Sequence, residues 1–374
     1  MLKKLRQSIL FIEAPLWISW AAVVFFALYG ENWLNSLNHS LPLVLAFVCL
    51  FFIILWNSFE VAHHVEALAE SLKEPYSTVI LTFTVISIEI SLIVSIMVTG
   101  AENPTLARDT MYSVVMIILN GVVGVSLLVG GLRYKEQQYN LQGSIAFLSV
   151  IILLSVIGLI LPNFTHSTTA PTFSTFQEIF LIVTSLAIYG LFLIIQTISH
   201  RTHFISPFKA QENYTPFDLH TSYPPKPIKY HTILVISYLI PTLILAKIAA
   251  TPINYLLTSL KAPAALGGML VAILVVAPEA VSAIRASLAN QLQRSVNISL
   301  GSVLASIGLT IPVILIVGLA TGKTVILGLD YSDTIILLLS AIMGILTFIS
   351  GRANILQGGI HLLLFFVYIL MLFD

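Results

Sequence analysis

Charge is what this sequence has least of. Only 9% of its 374 residues are Asp, Glu, Lys or Arg, against 57% that are hydrophobic. A soluble domain carries roughly 25% charged residues, and a chain of this size could not cover a water-facing surface with so few. That excludes a cytosolic enzyme, a nucleic-acid binder with a basic face and a disordered chain. The 17 basic and 17 acidic residues cancel, so no acidic or basic partner is implied. Cysteine is nearly absent too. Cys49 stands alone, which excludes an internal disulfide framework, and its apolar surroundings read as a buried thiol. No small-residue cleavage site follows the basic start at Lys3, Lys4 and Arg6, so a cleaved signal peptide is not expected.

Apolar sequence is what the chain has in abundance, with a mean hydropathy of +0.98. A membrane-spanning helix needs roughly 20 mostly apolar residues. Eleven stretches qualify, at 14–29, 41–59, 77–98, 111–131, 143–161, 176–199, 231–250, 264–286, 297–320, 334–350 and 356–372. Stretches such as Leu41 to Trp56 are apolar on every side, unlike the alternating strands of a membrane barrel. The expected fold is an all-α polytopic membrane protein of about 11 transmembrane helices.

Lys and Arg set the orientation of such a chain. With the N-terminus cytoplasmic, 13 of the 17 basic residues fall inside and four outside: Arg108, Lys247, Lys261 and Lys323. The bias predicts a cell inner-membrane protein with its N-terminus inside, its C-terminus outside and an odd number of spans. A polar stretch at 200–230, with five prolines and the histidines His200, His203 and His220, reads as a cytoplasmic linker. It carries no metal-ligand spacing.

Twelve Glu and five Asp make up the acids, and only Glu89 and Glu279 sit deep inside predicted spans. A carboxylate at mid-membrane costs a few kcal/mol or more, so such residues line ion paths or find partners. A buried Glu can hold a proton in one state and a cation in another, which is what proton-coupled exchange requires. The two are placed alike. Ser71-Leu72-Lys73-Glu74-Pro75 precedes Glu89, and Ser259-Leu260-Lys261-Ala262-Pro263 precedes Glu279. Ser113 follows the first Glu by 24 residues and Ser302 the second by 23. Five spans separate the Glu-bearing pair, so the pair runs in opposite directions. This predicts an inverted repeat of five spans plus five, with one extra N-terminal helix. The expected units are 1–35 (extra helix), 36–199 (first repeat), 200–230 (linker) and 231–374 (second repeat). Inverted repeats place substrate sites at the midplane, where the halves meet.

Pro278 has no N–H and frees the carbonyl of Leu274, beside Glu279. Thr82, Ser113, Ser282, Ser302 and Ser306 are candidate oxygen ligands, because hard cations such as Ca²⁺ take six to eight oxygens. Each also suits plain helix packing. Arg285 reads as an interfacial anchor, not a partner of Glu279. Glu66, Glu70 and Glu74 recur every four residues and would form an acidic stripe on a helix, either a cytoplasmic cation site or a solvated face.

With these residues in hand, the chain resembles the calcium/cation antiporter superfamily, and within it the ChaA-type cation/proton antiporters. The resemblance runs through HHVEALAESLKEPYSTVILTFTVISIEISLI (63–93), LARDTMYS (106–113), APEAVSAIRASLANQLQRSVNISLGSVLASIGLTIPV (277–313) and GRANILQGGIHL (351–362). It implies an inverted five-span repeat, alternating access, and Glu89 and Glu279 as shared cation and proton ligands. The superfamily's Gly-Asn-x-x-Glu signature is altered here: Val85-Ile86 and Val275-Val276 stand where Gly-Asn would. Ala305 and Ser306 stand where the plant-type exchangers keep a Gln. Amide oxygens are thus missing, which suits a site less specialised for Ca²⁺.

The expected activity is exchange of Ca²⁺, Na⁺ or K⁺ for H⁺ across the inner membrane, by a secondary transporter that is not an enzyme and needs no cofactor. Its partners would be the bilayer, inorganic cations and protons, with no nucleic acid; a homo-oligomer is compatible with the sequence. A cation channel is one alternative, though no filter-like loop is present. A monovalent-only Na⁺(K⁺)/H⁺ antiporter is another. A membrane-embedded enzyme would need paired Asp or a Ser–His arrangement, and His361, alone in the last span, offers neither.

Overall fold

A computed structural model describes residues 13–30, 40–70, 76–99, 104–168, 171–206, 227–259 and 262–373. Within them the chain makes eleven helical passages. The helices are α1 (Ala14–Phe25), α2 (Ser40–Glu70), α3 (Tyr76–Thr99), α4 (Leu106–Met116) with α5 (Val123–Tyr134), α6 (Leu141–Ser155) and α7 (Thr175–Ile194). They continue as α8 (Ile228–Ser259), α9 (Ala264–Leu288), α10 (Leu292–Ala305) with α11 (Ile311–Thr321), α12 (Tyr331–Phe348) and α13 (Ile355–Met371). Eight of the passages are long and apolar enough to span a bilayer throughout, and shorter apolar helices at Ala14–Gly30, Ile86–Ser95 and Ile355–Met371 supply the other three. Leu, Ile, Val and Phe carry these helices because the apolar side chain has no reason to leave lipid, while the backbone bonds itself.

Two passages are broken midway in the same manner. A π-helical turn, Ile117–Val122, joins α4 to α5, and another, Ser306–Thr310, joins α10 to α11. Each begins four residues after a serine, Ser113 and Ser302 respectively. Pro312, just inside α11, has no N–H to donate back into the second turn. Such π turns inside helices occur often at functional sites.

The connecting loops meet in two separate sets, one at each end of the bundle. At the first end, β1 (Glu136–Gln138) pairs antiparallel with β2 (Arg352–Asn354), Gln137 opposite Ala353. The Gln137 side chain donates to Ser287 O at 2.8 Å and to Asn290 Oδ1 at 3.0 Å. Asn297 Nδ2 donates to Phe204 O, bringing in the residues after α7. At the other end, Ile326 N donates to Pro104 O, Gly328 N to Pro171 O and Leu329 N to Leu159 O. Loops after the fourth, sixth, eighth and tenth passages thus gather on one side, and those after the third, fifth and ninth on the other. That alternation requires each of these passages to cross the bundle once.

The interior is largely apolar, with α4, α9 and α10 at its centre. Gly268 lets α9 lie directly on α4: a Cβ there would sit 2.6 Å from the Asp109 carbonyl carbon and the Thr110 nitrogen. Polar groups in this core are bonded to one another. His361 shares a proton at Nδ1 with Asn120 Oδ1 (3.1 Å) and at Nε2 with Thr347 Oγ1 (2.9 Å), and Asn120 Nδ2 donates to Ser340 Oγ at 2.8 Å. The Asn120 oxygen accepts only, so Nδ1 carries the hydrogen and Nε2 accepts from Thr347. The outer surface is apolar, with Phe176, Val183, Ile233, Ile335 and Phe366 all exposed. Cys49 lies on that surface, so the expected buried thiol is corrected: its stretch of α2 turns outward. Lipid satisfies an apolar run as well as a core does, and hydropathy cannot separate the two.

Candidate functional site

Glu89 on α3 and Glu279 on α9 are both buried, 1% and 5% exposed. One helix serves both. Ser302, in the last turn but one of α10, donates its hydroxyl to Glu279 Oε2. Ser306, one turn further on and first in the π turn, donates to Glu89 Oε2 at 2.6 Å. The two carboxyls therefore hang from adjacent turns of a single helix. Their hydroxyl partners sit at a spacing of four, on one helix face.

The oxygens are not used equally. Ser306 bonds Oε2 of Glu89, while Oε1 is buried with no close hydrogen bond. Thr310, the last residue of the π turn, is fully buried with its hydroxyl beside the same carboxyl.

Of the other sequence candidates, Ser113 is buried but bonded elsewhere: it donates to Asp109 O at 2.6 Å and accepts from Tyr368 at 2.7 Å. Ser282 is half-buried on α9, one turn after Glu279. Thr82 lies on α3 and Glu66 and Glu70 on the last turns of α2, but their side chains fall outside what the structure describes. The whole SLKEP segment at 71–75, with Lys73 and Glu74, and the linker from 207 to 226 lie outside the described residues altogether. Arg285 is exposed near the end of α9, six residues past Glu279.

Sequence reasoning missed three features. Thr310 carried no signal beyond being a hydroxyl in an apolar run. Asp109, at the edge of a predicted span, is buried and tied to Arg108 Nε at 2.8 Å, while Arg108 also donates to Gly328 O at 2.9 Å. Glu13, just before α1, is 2% exposed and anchors a cluster at the first end of the bundle. Tyr230 and Tyr238 donate to its two oxygens at 2.6 and 2.8 Å. His64 Nε2 lies 3.5 Å away, and His64 Nδ1 shares a proton with His231 Nδ1 at 3.0 Å. Burial alone would push the Glu13 carboxyl up; the bonds from His64, Tyr230 and Tyr238 outweigh it and bring it to about 2. The two His64 nitrogens face different partners, and no group of three metal-binding side chains converges among the described residues.

Comparison with known proteins adds a lineage to this geometry. The model of the sodium/calcium exchanger protein family matches residues 42–198 and 230–373. The chain belongs to that family. The exchanger is 37% identical over 354 residues to the sodium-potassium/proton antiporter ChaA of Escherichia coli (strain K12), covering 94% of each chain. Its fold is that of YfkE in its native form, with a TM-score of 0.71 at 18% identity, over 96% of this chain and 99% of the other. The H⁺/Ca²⁺ exchanger CAX has the same fold, with a TM-score of 0.67 at 12% identity, over 96% and 88%. The match stops at 198 and resumes at 230, across the stretch read from sequence as a linker.

Proposed function

We propose that the protein is a secondary antiporter that exchanges cations for protons across the bacterial inner membrane. The observation that carries the reading is the pair of buried carboxyls, Glu89 and Glu279, held on adjacent turns of one helix by Ser306 and Ser302. A carboxyl in an apolar core is costly as a bare charge. It is tolerated when neutralised by a proton or by a cation. Protons and cations therefore compete for the same four oxygens, and one cannot be bound without displacing the other. Coupled to alternating access, that competition is exchange. Two close carboxyls titrate as a pair, so apparent values belong to both.

The relative at 37% identity is a sodium-potassium/proton antiporter, and the YfkE-like and CAX folds come from Ca²⁺/H⁺ exchangers. For this chain the transported ions are Na⁺, K⁺ or Ca²⁺ against H⁺. The site offers carboxylates and hydroxyls, with Val85-Ile86 and Val275-Val276 in place of amide-bearing residues. That chemistry favours a cation that accepts hydroxyl oxygens, and a monovalent-only antiporter is the second reading. Glu89 and Glu279 are the primary ligands. Ser302 and Ser306 orient them, and Thr82, Ser113 and Ser282 are outer candidates.

The N-terminus is inside and the C-terminus outside, by the distribution of Lys and Arg. Residues 1–35 form the extra helix, 36–199 and 231–374 the inverted halves, and 200–230 the linker; the paired π turns in α4–α5 and α10–α11 support that division. The four-residue spacing of Glu66, Glu70 and Glu74 in the sequence suits a cation site on the inner side. The protein uses no cofactor and catalyses no bond rearrangement. Everted membrane vesicles from an antiporter-deficient host test this: Ca²⁺, Na⁺ or K⁺ added separately should each show whether it dissipates a preset pH gradient. Saturable dissipation by at least one cation supports exchange. No dissipation by any of the three contradicts it, and non-saturating ion flow without proton movement indicates a channel.

A further inference from the structure

Between α11 and α12 the chain runs through residues 323–330 without helix or strand. Its sequence alternates as a half-buried extended segment should. Val325, Leu327 and Leu329 turn inward and are 4%, 1% and 2% exposed, while Thr324 and Asp330 face out. The segment lies at the end of the bundle that the distribution of Lys and Arg places outside. It is a strap laid across the ends of other passages. Lys323 Nζ donates to Met97 O near the end of α3. Ile326 N donates to Pro104 O before α4, Leu329 N to Leu159 O after α6, and Gly328 N to Pro171 O before α7. Arg108 on α4 donates to Gly328 O, and its guanidinium lies 3.7 Å from Asp330. Each of these partners on α3, α4 and the neighbouring loops belongs to 36–199, the first of the two proposed halves, whereas the strap belongs to the second.

Alternating access moves one half against the other around the site. Bonds that cross between the halves at the outer end hold that end shut, and they have to part before a cation can enter from outside. The strap can part at little structural cost. Gly322, at its start, is left-handed with φ 69° and open space around it, a hinge that a side chain would strain. The bonds to the first half come singly from separate residues, so releasing them unwinds no helix. The seat is also close-fitting: a Cβ on Gly328 would come 2.0 Å from Asn163 Oδ1 and 2.7 Å from Pro171 Cβ. Finally, the strap connects the two elements that make the site. Met97 follows Glu89 by eight residues, about 12 Å along α3. The strap itself continues from the passage that carries Ser302 and Ser306.

We propose that residues 323–330 are the outer gate of the exchange pathway. Seated, they seal the outer end; lifted about Gly322, they open the site to the outside. This rests on the reading of the protein as an alternating-access exchanger with its N-terminus inside. The contrary reading is a static cap that stabilises the fold and stays seated through every cycle.

Two measurements on the full-length protein decide between them, in a Cys49→Ser background that has no other thiol. Pro104→Cys with Ile326→Cys puts thiols on two residues joined by a 3.0 Å backbone bond. Oxidation of that pair should lower exchange at least about tenfold and reduction should restore it, because a strap bonded in its seat cannot lift. Exchange unchanged with the disulfide formed overturns the proposal. Where the disulfide does not form, Leu327→Cys decides. It should react with a membrane-impermeant maleimide added outside right-side-out vesicles, at a rate that shifts at least about fivefold when the imposed pH gradient is reversed. No reaction, a rate indifferent to the gradient, or reaction in everted vesicles alone overturns the proposal. Glu89→Gln run in parallel separates the levels. Exchange lost there but untouched by the crosslink sinks the gate alone, whereas exchange retained in Glu89→Gln sinks the exchange site and leaves the crosslink to judge the strap.

Discussion

Ser302 and Ser306 hold different carboxyls, and removing each hydroxyl should tell the two apart. Ser306 is 1% exposed and gives Glu89 its one hydrogen bond shorter than 3 Å, to Oε2, while Oε1 has none. Ser306→Ala therefore takes the close donor from this buried carboxyl and leaves only the Thr310 hydroxyl beside it. A hydrogen bond to a charged group is worth roughly 1.5–3 kcal/mol, and one desolvated on both sides sits at the upper end. The cation-ready form of the site loses about that much, so the apparent KM for cation should rise by about tenfold to a hundredfold at unchanged pH. Ser302→Ala removes the corresponding bond to Glu279 and should raise KM by a similar factor. Each serine acts through its own carboxyl. In double-mutant cycles, Ser306→Ala should couple strongly to Glu89→Asp and only weakly to Glu279→Asp, and Ser302→Ala the reverse. The assay is initial-rate quenching of a pH-gradient dye in vesicles across a cation series. A KM within twofold of the parent in both alanine variants would refute the reasoning, and so would coupling that ignores which serine touches which Glu.

Three other outcomes follow from the same packing. Asn120→Ala strands His361 Nδ1 and removes the donor to Ser340 Oγ, and should cost about 1–3 kcal/mol, read as a drop of several degrees in the melting temperature with cation KM unchanged. Gly268→Val puts side-chain atoms where a Cβ already meets the α4 backbone at 2.6 Å; overpacking costs about 1–3 kcal/mol where neighbours can yield, and backbone cannot, so the variant should lose most folded protein in fluorescence-detected gel filtration. Glu13, held near 2 against an ordinary 4.5, contributes stability present above about pH 4.5 and lost as pH falls towards 2, because the unfolded carboxyl takes its proton first. The parent should lose roughly 2 kcal/mol across that window in acid melts that Glu13→Gln does not lose, and equal acid sensitivity in the two would count against the cluster.

The sequence made the two central acids legible because their cost in lipid is a property of composition, readable without any contact. Glu89 and Glu279 stand out among long apolar runs, and the repeated order of Pro, Glu and Ser around them exposes a duplication. The eleven passages were legible for the same reason. Partners were not. Ser113 and Ser302 follow the two Glu at similar spacing, yet Ser302 bonds Glu279 while Ser113 bonds Tyr368, and Ser306 is the serine that reaches Glu89. Helix-to-helix contacts at separations above 200 residues leave no local period to read. The Glu13, His64 and His231 cluster is assembled from three distant positions in the same way, and Glu13 looked like an ordinary polar residue at a span end. The π turns were hidden because they change hydrogen bonding without changing hydropathy.

The central claim is that one buried carboxyl in each half trades protons for cations. Its most direct measurement is cation-driven dissipation of a pH gradient in everted vesicles carrying Glu89→Gln or Glu279→Gln, with the amount of folded protein matched to the parent. Gln keeps the size and hydrogen bonding of each side chain but can neither release a proton nor bring a charge to the cation. Loss of exchange in both variants is the predicted result, and exchange at the parent rate in either would contradict it.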